Sequence, residues 1–287
     1  MPLLRVARRL TQLLPAPSLA DCPQGFNRYI LTLMRICYLG DVNVQVRRVA
    51  EYFAGRGDEV HVVTARPAPI TGVEVHSFAG ALARGKSAFL LGNPTARRII
   101  SRIRPDVVHV FYATSYGLVA SMIPGPPVAL SPMGTDLLIS ADNSRLMSLM
   151  VRRAIGRAGA IFSVAPHMTA KLIALGAPAS RIHTFPRGVD LERFPFRPRR
   201  FAPGKAVVLS NRKMEPVYNL EQLIEAASLV VAKFPDVRFR LYGEGSLRDH
   251  LMSLAASTGL GGNADFPGSV DHDLVASTLE QADLYVS

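Results

Sequence analysis

Arg212 and Lys213 stand side by side, one residue after the apolar run "AVVLS" and ahead of the helix-patterned "LEQLIEAASLVVAKF". Two cations at the carboxyl end of a strand suit a polyanion. An arginine offers forked hydrogen bonds to phosphate oxygens, and a lysine offers a mobile point charge. Further on, "YGEGS" sets Gly243, Glu244 and Gly245 in a strand–turn–helix passage. Two glycines there allow close backbone approach, and Ser246 is expected to cap the helix that follows. "GSVDHDLV" carries Val270 on a later loop. In the first half of the chain Gly40 and Asp41 end the run "RICYL", and "SPMGTD" supplies Gly134, Thr135 and Asp136. The Asp136 carboxylate has two readings, a catalytic group or the cap of a turn. His109, His167 and His183 fall in or beside regular elements and read as core or surface residues rather than catalysts.

These residues need a scaffold that gathers strand ends. From Met34 onward, apolar strand-like runs alternate with stretches of helical spacing. "RICYLG", "EVHVVTA", "VEVHSF", "DVVHVFYA", "PVALSPMGTD", "AIFSVA" and "RIHTFPRGVD" read as strands. "VQVRRVAEYFAG", "NPTARRIISRI", "SYGLVASMI", "RLMSLMVRRAIGRAG" and "PHMTAKLIALG" read as helices. Such alternation predicts parallel sheets covered by helices on both faces. The Pro- and Arg-rich "RFPFRPRRFAPGK" has no periodicity and reads as a linker. After it the alternation restarts and runs to "ADLYVS". The expected division is a leader over 1–33, outside the fold and dispensable, a domain over 34–192, a linker over 193–205 and a second domain over 206–287. Ligands of doubly wound domains gather at the carboxyl ends of the strands, so the cleft between two such domains is the default site.

Composition narrows the classes. The chain has 287 residues, is 48% hydrophobic and carries a net charge of +11. Its two cysteines, Cys22 and Cys37, exclude a disulfide framework, and no cysteine-based zinc motif is present. The positive charge is scattered, without a zinc-finger, KH or RRM signature, so nucleic acid is not the expected partner. No run is apolar and long enough for a transmembrane helix. "SLA" at Ser18 to Ala20 is only a weak cleavage signal. A dinucleotide oxidoreductase is disfavoured, since no G-x-G-x-x-G follows the first strand.

In order along the chain, "MRICYLG", "RRVAEYFAGRGDEVHVVT", "PDVVHVFYATSYGLVA", "SPMGTDLL", "PRGVDLERF", "NRKMEPVYNLEQLIEA" and "YGEGSLRDHL" resemble the retaining glycosyltransferases of family 4. The resemblance runs from Met34 to Ser287. It implies the α/β GT-B fold, two Rossmann-like doubly wound domains, here with the second incomplete. It also implies transfer of a sugar from a nucleoside diphosphate sugar to a hydroxyl acceptor with retained configuration, without an obligatory metal or other cofactor. On this basis Arg212, Lys213, Gly243, Glu244, Gly245 and Val270 are the donor-binding candidates. Gly40, Asp41, Gly134 and Thr135 are the acceptor-side candidates, and Asp136 is the catalytic candidate.

The match has departures. The family's second diphosphate lysine has no counterpart near residues 217–219. Met133 and Gln45 stand where family histidines are usual. The family's Glu-x7-Glu motif would follow the last residue, so the 287-residue chain is expected not to turn over donor. The expected partners are a nucleotide-sugar donor and a glycan or lipid-linked acceptor. The expected location is the cytoplasm. The basic helix over residues 145–159 has two readings, a peripheral contact with the inner face of the membrane or an ordinary core helix with a solvated basic face, and the second is favoured. Two other readings are a non-catalytic protein that keeps the fold and a sugar-nucleotide epimerase of the same fold.

Overall fold

The computed structural model describes residues 33–79, 93–198 and 205–287. The leader, apart from Leu33, and residues 199–204 of the expected linker lie outside them. The chain separates into two compact units, with the boundary between Arg187 and Gly188. This boundary falls five residues before the expected one, and residues 188–198 make contacts of their own. Asp190 Oδ1 accepts the backbone N–H groups of Glu192 and Arg193, and the Arg193 guanidinium pairs with Asp273 at 3.0 Å.

Among the described residues the first unit holds seven strands: β1 (Arg35–Leu39), β2 (Glu59–Thr64), β3 (Glu74–Ser77), β4 (Val107–Phe111), β5 (Val128–Ser131), β6 (Ala160–Ser163) and β7 (Ile182–Thr184). They form one sheet in the order β3-β2-β1-β4-β5-β6-β7, and every pair is parallel. Helices α1 (Val44–Gly55), α2 (Asn93–Ile103), α3 (Ser115–Ser121), α4 (Arg145–Arg157) and α5 (Pro166–Ala174) run between them. A central parallel strand is covered on both faces, which is why "ICYL" is apolar without alternation and all four residues are buried. Alternate residues serve opposite cores. Cys37 and Leu39 join one cluster, and Ile36 and Tyr38 the other.

Helix α1 shows how sequence sets an element. Its cap Asn43 accepts the backbone N–H groups of Gln45 and Val46 at 3.0 Å. Val46, Ala50 and Phe53 fall on one face at helical spacing and are buried. The helix stops at Gly55, and Gly57 takes φ +90. Cys37 is fully buried, and burial pushes its thiol up to about 12, so it remains a protonated core group.

The second unit carries β8 (Val207–Ser210), β9 (Arg238–Tyr242), β10 (Ala264–Gly268) and β11 (Leu284–Tyr285) in the parallel order β10-β9-β8-β11. Helices α6 (Leu220–Lys233), α7 (Arg248–Ser257) and α8 (Val275–Leu279) complete it. Its core gathers Val208, Leu220, Ile224, Phe239, Leu241 and Leu251. Among the described residues no helix is long and apolar enough to cross a membrane.

His109 projects from β4 among Tyr38, Phe111 and Phe162, with ring centroids 5.6, 4.6 and 5.4 Å away. Its Nε2 meets Ser131 Oγ at 2.8 Å. Burial lowers its pKa from 6.5 to about 4. A depressed pKa means the fold favours the neutral ring. That contribution is whole above the unfolded value near 6.5 and is lost as pH falls towards 4 and below. The loss should reach on the order of 3 kcal/mol at the acid end. Denaturant titration of the parent and of His109→Gln across this range should show the loss in the parent and its absence in the variant.

Candidate functional site

In the second sheet the strand order reverses between β8 and β11, and the loops after β8, β9 and β10 lie at the same, carboxyl-terminal edge. A cavity of about 270 Å³ opens there, lined by Asn211, Lys213, Tyr242, Gly243, Glu244, Ser269, Val270, His272 and Val275. Four donor-side candidates, Lys213, Gly243, Glu244 and Val270, thus come together. Arg212 and Gly245 do not line the cavity but flank it in the same two loops. Tyr242 and His272 belong to the stretches "YGEGS" and "GSVDHDLV" expected near the donor, while Asn211 was not singled out from the sequence. Asn211 neighbours the Arg-Lys pair, and its Oδ1 accepts the Tyr285 hydroxyl proton at 2.7 Å, which joins the β8 loop to β11.

The two glycines have a structural cause. Gly243 adopts φ +138, and a Cβ there would stand 2.1 Å from the Arg212 carbonyl oxygen. A Cβ at Gly245 would stand 2.2 Å from the Met214 carbonyl oxygen. The β8 loop therefore lies directly on the "GEG" turn, backbone against backbone. Met214 N–H donates to the Glu244 carbonyl at 3.0 Å, and Leu247 N–H donates to the Met214 carbonyl at 2.9 Å. Met214, wholly buried, pins the loop from below. Arg212 and Lys213 are held on this seam.

Ser246 does not cap a helix. Helix α7 begins at Arg248, and Ser246 gives its backbone N–H (3.1 Å) and its hydroxyl proton (2.7 Å) to the Glu215 carboxylate. These hydrogen bonds, helped by Lys213, hold the Glu215 carboxyl below its ordinary range. Near residues 217–219, where the family's second lysine has no counterpart, Pro216–Tyr218 form a 3₁₀ turn and Asn219 takes φ +47. The Tyr218 ring faces the Arg212 guanidinium, 5.7 Å from its centroid. A ring face attracts a cation and holds it in place.

In the first sheet the order reverses between β1 and β4. Gly40 and Asp41 follow β1, and a Cβ at Gly40 would meet the Phe111 Cβ at 3.0 Å. Asp41 Oδ1 accepts the Tyr116 hydroxyl proton at 2.6 Å. Burial first, then Asp41, raises the Tyr116 pKa. Tyr112 directly follows β4 with φ +73, a conformation that costs a bulky residue about 1–3 kcal/mol and that clusters at functional sites. Burial raises the Tyr112 pKa, Asp41 and Asp136 add to it, and Arg187 opposes them. Arg187 also reaches Met133 Sδ at 3.2 Å. The sequence reading singled out neither Tyr112, Tyr116 nor Arg187. Their signal was position, at the strand ends beside the reversal.

Asp136 is 2% exposed. Its Oδ2 accepts Ala113 N–H at 2.6 Å, and its Oδ1 accepts the N–H groups of Met133 and Gly134 at 2.9 Å. Both oxygens are thus committed to backbone. The carboxylate joins the loop after β4 to the loop after β5, across two neighbouring strands. Burial raises its pKa against the lowering effect of these bonds. Asp136 opens a π-helical turn, Asp136–Ser140, whose cap position falls to Thr135 without a side-chain bond. Gly134 precedes it with φ +117.

The seam in the second unit is testable. Gly245→Ala forces a Cβ into the Met214 carbonyl and should destabilise that unit by at least ~2 kcal/mol. Limited proteolysis should then cut the second unit at lower denaturant than in the parent. An unchanged cleavage profile would show that the loops can part without cost.

Comparison with known proteins places this geometry. Residues 42–193 match the model of Glycosyltransferase Family 4, and residues 193–287 match that of Glycosyl transferases group 1. The phosphatidyl-myo-inositol mannosyltransferase of Mycobacterium tuberculosis is 28% identical, over 86% of this chain and 67% of the relative. The fold matches sucrose-phosphate synthase from Thermosynechococcus elongatus with a TM-score of 0.71 at 16% identity, over 88% of this chain and 74% of that one. It matches Anabaena Alr3699/HepE, solved with UDP and glucose, with a TM-score of 0.65 at 16% identity, over 88% and 73%. With two parallel α/β units of the GT-B type and a family match over more than half of its length, this chain belongs to glycosyltransferase family 4.

Proposed function

We propose that the enzyme takes a sugar from a nucleoside diphosphate sugar and transfers it to a hydroxyl of a glycan or lipid-linked acceptor, with retention of anomeric configuration. The observation that carries the donor reading is the cavity after β8, β9 and β10, with Lys213 in its wall and Arg212 beside it. Arg212 and Lys213 meet the diphosphate's negative charge, the task a metal ion performs in other transferases. As the bond to the sugar breaks, charge grows on the leaving diphosphate, and fixed cations stabilise that state more than the bound donor. Val270 and Ser269 offer the loop for the base, while Gly243 and Glu244 form the floor. The acceptor is assigned to the first unit, at Gly40, Asp41, Gly134 and Thr135, with Tyr112 and Arg187 alongside. Retention rests on the family resemblance and is read from the anomeric proton coupling in a transfer product.

Nucleotide binding tests the donor site. Losing a charge-assisted phosphate contact costs roughly 1.5–3 kcal/mol, a ten- to hundredfold loss of affinity. Calorimetric titration with UDP and with GDP should show that loss in Arg212→Ala and a smaller one in Lys213→Ala. Equal affinity in parent and Arg212→Ala would remove the guanidinium from the site.

A peripheral membrane contact is supported by one surface. On α4, Leu146 and Leu149 are 61% and 62% exposed beside exposed Arg145, Arg152 and Arg153, while Val151, Ala154 and Ile155 face the core. Leu138 and Ile139 are also exposed, on the π-helical turn that packs nearby. Apolar side chains among arginines suit an anionic lipid surface. Co-sedimentation with phosphatidylglycerol vesicles should exceed that with phosphatidylcholine and should drop in Leu146→Glu/Leu149→Glu. Equal sedimentation of parent and variant would assign the surface to water.

A further inference from the structure

The tripeptide Glu-Val-His occurs twice, at Glu59–His61 and at Glu74–His76. The two copies lie on the adjacent parallel strands β2 and β3, with His61 in register with Glu74. The pleat turns both glutamates and both histidines to one face of the sheet. His61 Nδ1 lies 3.1 Å from His76 Nε2 and 3.3 Å from a Glu74 carboxylate oxygen, and His76 Nε2 lies 3.6 Å from the other. Two imidazole nitrogens and one carboxylate thus lie together on β2 and β3, at the edge of the first sheet.

From these positions we infer a zinc site made by His61, Glu74 and His76. Ligand atoms at about 2.0–2.1 Å from a tetrahedral Zn²⁺ stand about 3.4 Å from one another. His61 Nδ1 and His76 Nε2 are 3.1 Å apart, and Glu74 brings one oxygen to 3.3 Å from the first and its other oxygen to 3.6 Å from the second. The fourth ligand position is left to water, since no further His, Cys, Asp or Glu joins the group among the described residues.

The group behind His61 supports the assignment. Glu59 Oε1 meets His61 Nε2 at 3.1 Å, and Glu59 is itself held by Arg35 at 2.7 Å. A carboxylate there keeps the proton on Nε2 and turns the bare Nδ1 lone pair inward, the arrangement found behind metal-bound histidines. Without a cation, a proton on His76 Nε2 can be given to that lone pair at 3.1 Å; a cation takes the place of this proton and also draws in the Glu74 carboxylate. Two imidazoles with one carboxylate suit Zn²⁺ better than the all-oxygen shells of Mg²⁺ or Ca²⁺. Zinc bound here ties the edge strand β3 to β2 and leaves the nucleotide chemistry to the second unit.

The experiment is zinc titration of the untagged, chelator-stripped chain by calorimetry, with Co²⁺ absorption to report geometry. One Zn²⁺ should bind per chain, and Co²⁺ should give the intense visible bands of a tetrahedral site. Affinity should fall at least tenfold in His76→Asn and in Glu74→Gln, both at the accessible side of the group. Glu59→Gln, which alters only the group behind His61, should weaken binding about 10–100-fold. His250→Ala, at an exposed histidine of α7, should bind as the parent does. The absence of saturable binding, or equal affinity in His76→Asn, Glu74→Gln and His250→Ala, would overturn the site. Thermal melting without metal checks that each variant is folded, and Glu74→Gln, at a largely exposed side chain, keeps the test open if a histidine variant is not.

Discussion

A strand paired in parallel to its neighbour cannot be reached by a tight turn. The chain must travel back along the sheet first, and a helix packed on the sheet face is the usual way to do so. Among the described residues every strand pair in both sheets is parallel. Two consequences follow. All strands of a sheet end on the same edge, so the loops after β1, β4 and β5, and those after β8, β9 and β10, are neighbours although far apart in sequence. The central strands are also buried on both faces, so the apolar content needed for the fold leaves little room for chemistry within the strands. Function is pushed to the strand ends.

Those ends are fixed by backbone contacts more than by side chains. In the second unit Met214, Gly243, Glu244 and Gly245 form a seam in which carbonyls and amides of two loops meet directly. The cations Arg212 and Lys213 are carried on this seam, so their positions are set by peptide groups with little freedom to relax. In the first unit Asp136 does similar work with a side chain, using both carboxylate oxygens for three peptide N–H groups. Each device satisfies buried polar groups that would otherwise carry a penalty of about 1–3 kcal/mol.

Much of the fold was legible because the signals are periodic. The apolar run of β1 and the spacing of Val46, Ala50 and Phe53 in α1 reflect burial on two faces and on one, and burial is written in residue type. The pairing of Arg193 with Asp273 was not legible, because it joins residues distant in sequence. The donor candidates were readable as a class, cations and glycines at strand ends. The partner of each was not. Glycines that looked open for a ligand turned out to receive the Arg212 and Met214 carbonyls, and Ser246 turned to Glu215 rather than to its own helix. The repeated Glu-Val-His was present in the sequence, but its meaning depends on the register of β2 with β3. A shift of one residue would send the two histidines to opposite faces.

The Asp136 clamp has a consequence for divergence within the family. One carboxylate holds the loop after β4 at Ala113 and the loop after β5 at Met133 and Gly134, so neither loop can change its path alone. An insertion in one that moves its amide by an ångström strands a buried charge in the other. Sequence drift in these two segments is therefore coupled. A chimera that borrows the β4 loop from a relative without its β5 loop, or without an aspartate between them, inherits half of a joint. Loops meant to alter acceptor choice must be transplanted as a matched pair.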